Sequence, residues 1–363
     1  MIKNSIILAF YLLVASVYYL FNDAVRILIF GVSCGISVYM GVKVKNGFPF
    51  IKVPKTFYLV AVGVFGYTVL VQLINNTLTP FVVYYLSSPL IAYFIYTNRF
   101  NTKILTLPFY AFASYILIYF FLHRNLFGAL NNVSENYLSI ILIMNLVTIY
   151  VVKFRQKEVI SILPAFIGFF LSILAVGRSG IITTLFVLLL VLWFNWKGLP
   201  RFKKVFSIAI FTVPLILLVV LKWDLINTIF NNMAVFEKFS NSGVSSPSRN
   251  IIKRAYFLNI NSVTFFTGYN YAENYWFKHY GLNPHNSYIR LHYFSGFAFF
   301  IIMPILFISL IKLIKKNLFF SGLLLAILLR SYTDSVLFLT LFDYVLVLLI
   351  MTAFLNNKTK YIK

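Results

Sequence analysis

The amino-acid sequence predicts an all-α polytopic membrane protein: a single integral membrane domain over residues 1–363, with about twelve transmembrane helices and one large outward-facing loop at 222–284 between spans nine and ten. Three observations carry this. The chain is 61% hydrophobic. Apolar runs, most of them 16 to 20 residues long, recur from end to end, and a helix of that length crosses about 30 Å of hydrocarbon. The cationic residues are distributed unequally between alternate gaps. In lipid each run must be helical, because only a helix satisfies its backbone hydrogen bonds within the segment.

The runs follow at 5–22, 26–42, 56–74, 79–97, 103–122, 137–152, 158–176, 179–195, 203–221, 285–311, 317–333 and 336–355. Lys3 precedes the first, as in a signal peptide. No small-residue cleavage site follows, and Tyr18, Tyr19 and Leu20 come next, so the run is expected to be the first transmembrane helix. Cys34, the only cysteine, lies in the second run, which leaves no intrachain disulfide or cysteine metal site.

A net charge of +23 could suggest nucleic acid, but its placement points to a membrane. With a cytoplasmic N-terminus, the even-numbered gaps carry Lys43, Lys45, Lys52 and Lys55; Arg99 and Lys103; Lys153, Arg155 and Lys157; Lys197, Arg201, Lys203 and Lys204; and Lys312, Lys315 and Lys316. With Lys3, Lys358, Lys360 and Lys363 these make twenty of the 31 Lys and Arg residues. The opposite short gaps hold only Arg26, Arg124, Arg178 and Arg330. This is the positive-inside pattern, suited to an anionic cytoplasmic leaflet. Both termini are thus expected in the cytoplasm and loop 222–284 outside it. The cytoplasmic gaps are short and basic, with no Gly-rich phosphate loop or Asp-x-Asp pair, which disfavours chemistry on a cytoplasmic nucleotide or nucleotide sugar.

Within the long loop, Ser245, Ser246, Pro247 and Ser248 read as a helix start, with a serine cap and proline in the first turn. Ile252, Ala255, Tyr256 and Asn259 then share one face at helical spacing, and Arg249 and Lys253 another, as in a short amphipathic helix at a membrane surface. Residues 268–284, rich in Gly, Asn, Tyr and Trp, read as irregular up to Pro284.

Chemistry-bearing residues gather on the outward side. Gly177, Arg178, Ser179 and Gly180 form a tight turn whose last residues open the next helix; free N–H groups beside an arginine suit an anion. Arg178 could equally snorkel to lipid headgroups. Arg249 repeats the design of an arginine at a helix start, or is a solvated surface charge; Lys253 and Arg254 share that ambiguity and rank lower. His285 follows Pro284 at the start of a span, where the positive helix end disfavours its protonation. A neutral imidazole there could accept a proton from a hydroxyl or orient it, or serve as a polar cap. Asn286, Tyr288 and Arg290 follow, Tyr288 being also a candidate interfacial anchor, and His279 and His292 are weaker candidates. Among the acids, Asp23 can pair with Arg26 at i, i+3, Asp334 ends span eleven, and Asp343, inside span twelve, needs a polar interior or a partner. A site built from cations, with no metal and no cofactor, is the simpler reading.

In this order, Gly177 to Gly180 opening a span, Arg249 near the start of the loop, and His285, Asn286, Ser287 and Tyr288 leading into a span, with Gly296 beyond, resemble the bacterial O-antigen polymerase/ligase family. Lys253, four residues after Arg249, departs from the arginine-plus-leucine spacing of ligases and leans toward a polymerase. The resemblance implies a GT-C-like fold in the bacterial inner membrane, with 222–284 as a periplasmic loop. It implies inverting transfer of a glycan from undecaprenyl diphosphate to a sugar hydroxyl of a second lipid-linked repeat unit. It assigns Arg178 and Arg249 to the diphosphate and His285 to the acceptor hydroxyl, with Ser179, Gly180, Lys253, Arg254, Asn286 and Tyr288 contacting substrate. Its partners would be the lipid-linked oligosaccharide, membrane lipids and a chain-length regulator. The nearest alternative is an O-antigen ligase acting on lipid A-core; a lipid-linked oligosaccharide flippase is of another class, disfavoured because most charge lies in loops.

Overall fold

The computed structural model describes residues 1–43, 55–131, 133–198, 200, 247–279 and 281–355. The protein is all-helical, 80% helix, with no strand among the described residues. The first eight helices are α1 (Ile2–Val17), α2 (Asp23–Lys43), α3 (Lys55–Ile74), α4 (Tyr84–Thr97), α5 (Thr102–His123), α6 (Asn136–Arg155), α7 (Leu163–Leu174) and α8 (Arg178–Lys197). The loop holds α9 (Pro247–Leu258), α10 (Ser262–Thr267) and α11 (Tyr275–His279). After it come α12 (Ser287–Ser295), α13 (Phe299–Lys316), α14 (Leu318–Thr333) and α15 (Asp343–Phe354).

Among the described residues, seven helical stretches are long and apolar enough to cross a membrane: Ile2–Leu20, Asp23–Lys43, Pro80–Thr97, Thr102–His123, Asn136–Arg155, Arg178–Lys197 and Ser287–Lys316. Leu59–Ile74, α7, α14 and α15 are apolar but shorter. The predicted ninth span, 203–221, and the first part of the long loop, 222–246, lie outside the described residues.

α6 is the central helix. Tyr137 through Val152 are all buried, so protein rather than lipid surrounds it, and α5, α7, α8, α14, α1 and α15 all touch it. Buried polar links fix its neighbours in register: Asn145 donates to Ser16 of α1, and Thr148 bonds the Tyr344 hydroxyl of α15 at 2.9 Å. Such links between helices are each worth about 0.6 kcal/mol in a bilayer. Around this centre α1 packs on α5, α2 and α15 on α4, and α8 on α7 and α14. Asn317 joins α13 to α14 by ending the first and accepting the Phe319 and Phe320 amides of the second.

Two predicted spans differ from expectation. The tenth is one apolar stretch but bends at Gly296 (φ 47°), where α12 passes into a single 3-10 turn before α13. A Cβ there would stand 1.8 Å from the Phe266 carbonyl, so the bend lets the loop backbone press onto the helix. The twelfth is helical only from Asp343, which begins α15 instead of lying inside it. Residues 335–342 are buried and non-helical, a state an apolar segment adopts only if other groups satisfy its backbone. Asp343 accepts the amides of Phe338 and Thr340 and the Thr340 hydroxyl, at 2.8, 3.0 and 2.9 Å. Ser287 Oγ accepts the Val336 and Leu337 amides, and Tyr137 and Arg290 donate to the Ser335 carbonyl. The polar partner that Asp343 needs is this loop. Phe338 and Leu339 both have positive φ (66° and 64°), a strain that such loops concentrate at functional sites.

The loop helix α9 starts at Pro247 and buries Ile252, Ala255 and Tyr256 as its spacing predicts, whereas Asn259 is exposed. Residues 268–284 are more regular than composition suggests, with a 3-10 turn at Tyr271–Glu273 and the short α11. Tyr271 and Phe277 stack at 4.2 Å and, with Tyr256, Ile289 and Tyr293, form a satellite core that fastens the loop to α12.

Candidate functional site

The site is built around the residue that ends α14. Asp334 has extended backbone (φ −156°), which stops the helix and turns its carboxylate inward, where the side chain is only 3% exposed. Arg330, one turn earlier and fully buried, lies 3.4 Å from Asp334 Oδ2. Its guanidinium also donates to the Thr333 hydroxyl and to the Asn136 carbonyl at the start of α6, both at 3.1 Å. Arg249 of α9 approaches the same Oδ2 at 3.9 Å, and His285 Nδ1 lies 3.7 Å from Oδ1. The histidine contact is electrostatic, being longer than a hydrogen bond. Burial pushes the Asp334 carboxyl up, but His285, Arg330 and Arg249 together outweigh it and hold the pKa at about 2, so the group stays ionised.

Local chain geometry presents His285. Its backbone is left-handed (φ 46°), an uncommon state for a residue with a Cβ. Asn283 holds the turn, its Oδ1 accepting the His285 amide at 2.9 Å and the Ser335 hydroxyl at 3.1 Å. Asn286 caps α12, accepting the Tyr288 and Ile289 amides while donating to the Tyr332 carbonyl. Ser287 donates to the Asp334 carbonyl at 2.8 Å. The run from Asn283 to Ser287 is therefore stitched to 332–337, and this places the imidazole against the carboxylate.

His285 and Asp334 open onto a cavity of about 280 Å³, whose walls include Arg26, Arg290, Asn136, Tyr18, Tyr19 and Tyr84. An apolar cleft of about 300 Å³ lies alongside, walled by α3, α4, α13 and α15, with Val64, Ile302, Val347 and Ile350 among its residues. The two share Tyr84, and Thr340, on the wall of the cavity, is hydrogen-bonded to Asp343, on the wall of the cleft.

The other predicted site residues divide. Arg249 and His285, far apart in sequence, meet on Asp334. Lys253 stands 3.8 Å from the centre of the Tyr332 ring, a cation–π contact that docks α9 on the end of α14. Arg254 is exposed on the same helix. Asn286 spends its side chain as a cap, and Tyr288 is committed to the Leu328 carbonyl at 2.8 Å. Arg178 opens α8 as predicted, and Gly177 before it abuts Asn136 so closely that a Cβ would meet Asn136 Oδ1 at 2.2 Å. Arg178 is thus next to the Arg330–Asn136 link but does not line the cavity. Gly180 is buried against Ser139 of α6, where its missing side chain serves helix packing. His279 stacks at 6.0 Å with Tyr275. His292 is spent on structure, bonded through both ring nitrogens to the Tyr256 hydroxyl (2.7 Å) and the Phe265 carbonyl (3.1 Å). Asp23 pairs with Arg26 at 2.9 Å, as its spacing predicts.

Sequence reasoning missed the centre of the site. Asp334 and Arg330 stand at i, i+4 at the end of an apolar run, a spacing that marks an ion pair, and two opposite charges there are a cue that could have found them. Arg290 and Asn283 carry no such signal. Comparisons of the chain with known protein families, curated proteins and solved structures found no match.

Proposed function

We propose that this protein is a membrane glycosyltransferase, an O-antigen or related surface polysaccharide polymerase. It transfers the growing glycan from undecaprenyl diphosphate to a sugar hydroxyl of another lipid-linked repeat unit at the periplasmic face of the bacterial inner membrane. In this reading the chain has twelve spans in a GT-C-like arrangement, both termini are cytoplasmic, and the loop carrying α9 to α11 is periplasmic. With no matching family, the reading rests on the site and on the resemblance of its short motifs. The observation that carries it is the convergence of His285 and Arg249 on the buried carboxylate of Asp334, beside a cationic cavity that adjoins an apolar cleft.

Such an arrangement suits a lipid diphosphate donor. The isoprenoid would occupy the apolar cleft and the sugar–diphosphate junction the cavity. Asp334, beside Nδ1, holds the imidazole in orientation and faces it with a fixed negative charge, the role of a buried acid behind a catalytic histidine. Nε2 then takes the acceptor hydroxyl proton as the oxygen attacks the anomeric carbon. The anomeric C–O bond breaks, its electron pair stays with the diphosphate, and a single displacement inverts the centre. Arg249, which meets the same carboxylate as His285, offsets the charge gained by the leaving group, and His285 returns its proton to water; Arg178, outside the cavity wall, has a part in this only through the resemblance.

A deletion strain tests this through its lipopolysaccharide ladder. A lost polymerase leaves one repeat unit on the core. An empty core with long chains on the carrier would mean a ligase instead, and units trapped in the cytoplasmic leaflet a flippase. A normal ladder would end the proposal.

A further inference from the structure

Among the described residues, the wall of the polar cavity contains more positive charge than its acids can balance. Arg26, in the first turn of α2, points its guanidinium between Tyr18 and Tyr19, at 5.8 and 6.0 Å from the ring centres. Its one ionic partner among the described residues, Asp23, is 83% exposed, and an ion pair so open to water contributes little. A terminal nitrogen donates to the Asn131 carbonyl, whereas Nε is buried and makes no hydrogen bond. Among the described residues Arg290 reaches two carbonyls, of Ser335 at 3.5 Å and Leu339 at 3.4 Å, both long, and rests on Phe294. Among the described residues, the one carboxylate lining the same cavity, Asp334, already serves Arg249 and Arg330. Asp343 is occupied by the amides of the buried loop.

We infer that Arg26 and Arg290 form an anion-binding subsite in this cavity and take the phosphoryl groups of a lipid-linked diphosphate. This deepens the reading above and rests on it for the identity of the lipid. A buried guanidinium donor with no acceptor costs free energy unless a ligand supplies one, and planar guanidinium groups match phosphoryl oxygens in pairs. The position also suits the chemistry. The cavity is where His285 meets the reacting atoms, and Tyr84 marks its passage into the apolar cleft. A diphosphate held by Arg26 and Arg290 would have the isoprenoid on one side and the imidazole on the other. Neither residue stands out in the sequence: Arg26 reads as the partner of Asp23, and Arg290 as one more charge after a histidine.

The full-length protein in lipid nanodiscs provides the test, with undecaprenyl diphosphate, undecaprenyl phosphate and undecaprenol as probes. The wild type is expected to bind the diphosphate more tightly than the phosphate and far more tightly than the alcohol. Arg26→Gln and Arg290→Gln should each weaken diphosphate binding by about ten-fold or more, leave undecaprenol binding unchanged, and flatten the salt dependence. Arg26→Lys should recover part of the loss, and Arg124→Gln, at an exposed arginine elsewhere, should cause none. Since Arg290 also holds the buried loop, Arg26→Gln is the decisive variant. Diphosphate binding unchanged in it, or an equal loss for the alcohol, would overturn the inference. The outcomes separate from those for the function: a ladder defect on deletion with normal carrier binding by Arg26→Gln refutes the subsite alone, and a normal ladder with impaired binding refutes the polymerase alone.

Discussion

Arg249 and Asp334 are joined at 3.9 Å across 85 positions of sequence, so the loop helix α9 is tied to the end of α14 by the same carboxylate that faces His285. The two partners differ in burial: Asp334 is 3% exposed and Arg249 23%. That difference separates a structural from a chemical contribution.

Asp334→Asn keeps the shape and removes the charge, leaving the fully buried Arg330 without its counter-ion. Removing one partner of a buried pair costs about 3–5 kcal/mol, so this variant should unfold at a clearly lower temperature in detergent and lose polymer. Arg249→Gln should cost under about 1 kcal/mol, because its side chain is partly in water, yet still lose polymer. Thermal unfolding followed by tryptophan fluorescence, alongside the glycan ladder, measures both. Equal destabilisation by the two variants would contradict the assignment of Asp334 as the hub.

The Asp334 carboxyl, held at about 2 in the folded protein, titrates near 3.9 once unfolded. A carboxyl depressed by folding contributes stability that is complete above the unfolded value and disappears as pH falls through the folded one. The melting temperature should therefore be insensitive to this group from about pH 5 upward and fall between about pH 4 and 2. Asp334→Asn should blunt that acid limb. An acid limb equally steep in the variant would show that other carboxyls set it.

How far sequence reaches is visible in the same residues. Helix positions were legible because apolar length and caps are local properties: α8 begins at Arg178 and α9 at Pro247, where proline, glycine and spacing place them. Arg249 and His285 were legible as chemistry-bearing side chains at helix starts. Their common partner was not, since Asp334 becomes a hub only when α14, α9 and the turn at His285 meet in space. The buried loop 335–342 was hidden for a related reason: its residues are as apolar as a span, and it leaves the helix because distant Ser287 and neighbouring Asp343 accept its amides. Nor could composition reveal that His292 and Tyr288 are spent on packing.

His285 provides a cleaner test of chemistry than alanine scanning. Its φ of 46° disfavours any side chain with a Cβ, so His285→Gly should fold at least as well as His285→Ala while lacking the imidazole. Both should lose transfer activity by a factor of about 100 to 10,000, the usual contribution of a general base. Added imidazole should restore part of the rate in the glycine variant, in an in vitro assay with lipid-linked repeat units. Full activity in either variant would remove His285 from the mechanism; loss without rescue would favour orientation of the acceptor over proton transfer.

Tyr256 tests whether docking of the loop governs catalysis. Its hydroxyl bonds His292 Nδ1 at 2.7 Å in a buried setting, and its ring sits among Tyr269, Tyr271 and Phe277. Tyr256→Phe keeps the ring and leaves a buried nitrogen without a donor, a cost of about 1–3 kcal/mol. Since α9 carries both Tyr256 and Arg249, a loosened helix should raise the KM for the lipid-linked donor more than it lowers kcat. Limited proteolysis should also cut faster between residues 247 and 279. Combining Tyr256→Phe with Arg249→Gln should add little further loss of activity, as both act by withdrawing the same arginine from Asp334. Strictly additive effects of the two changes would mean that α9 contributes to the site through some contact other than Arg249.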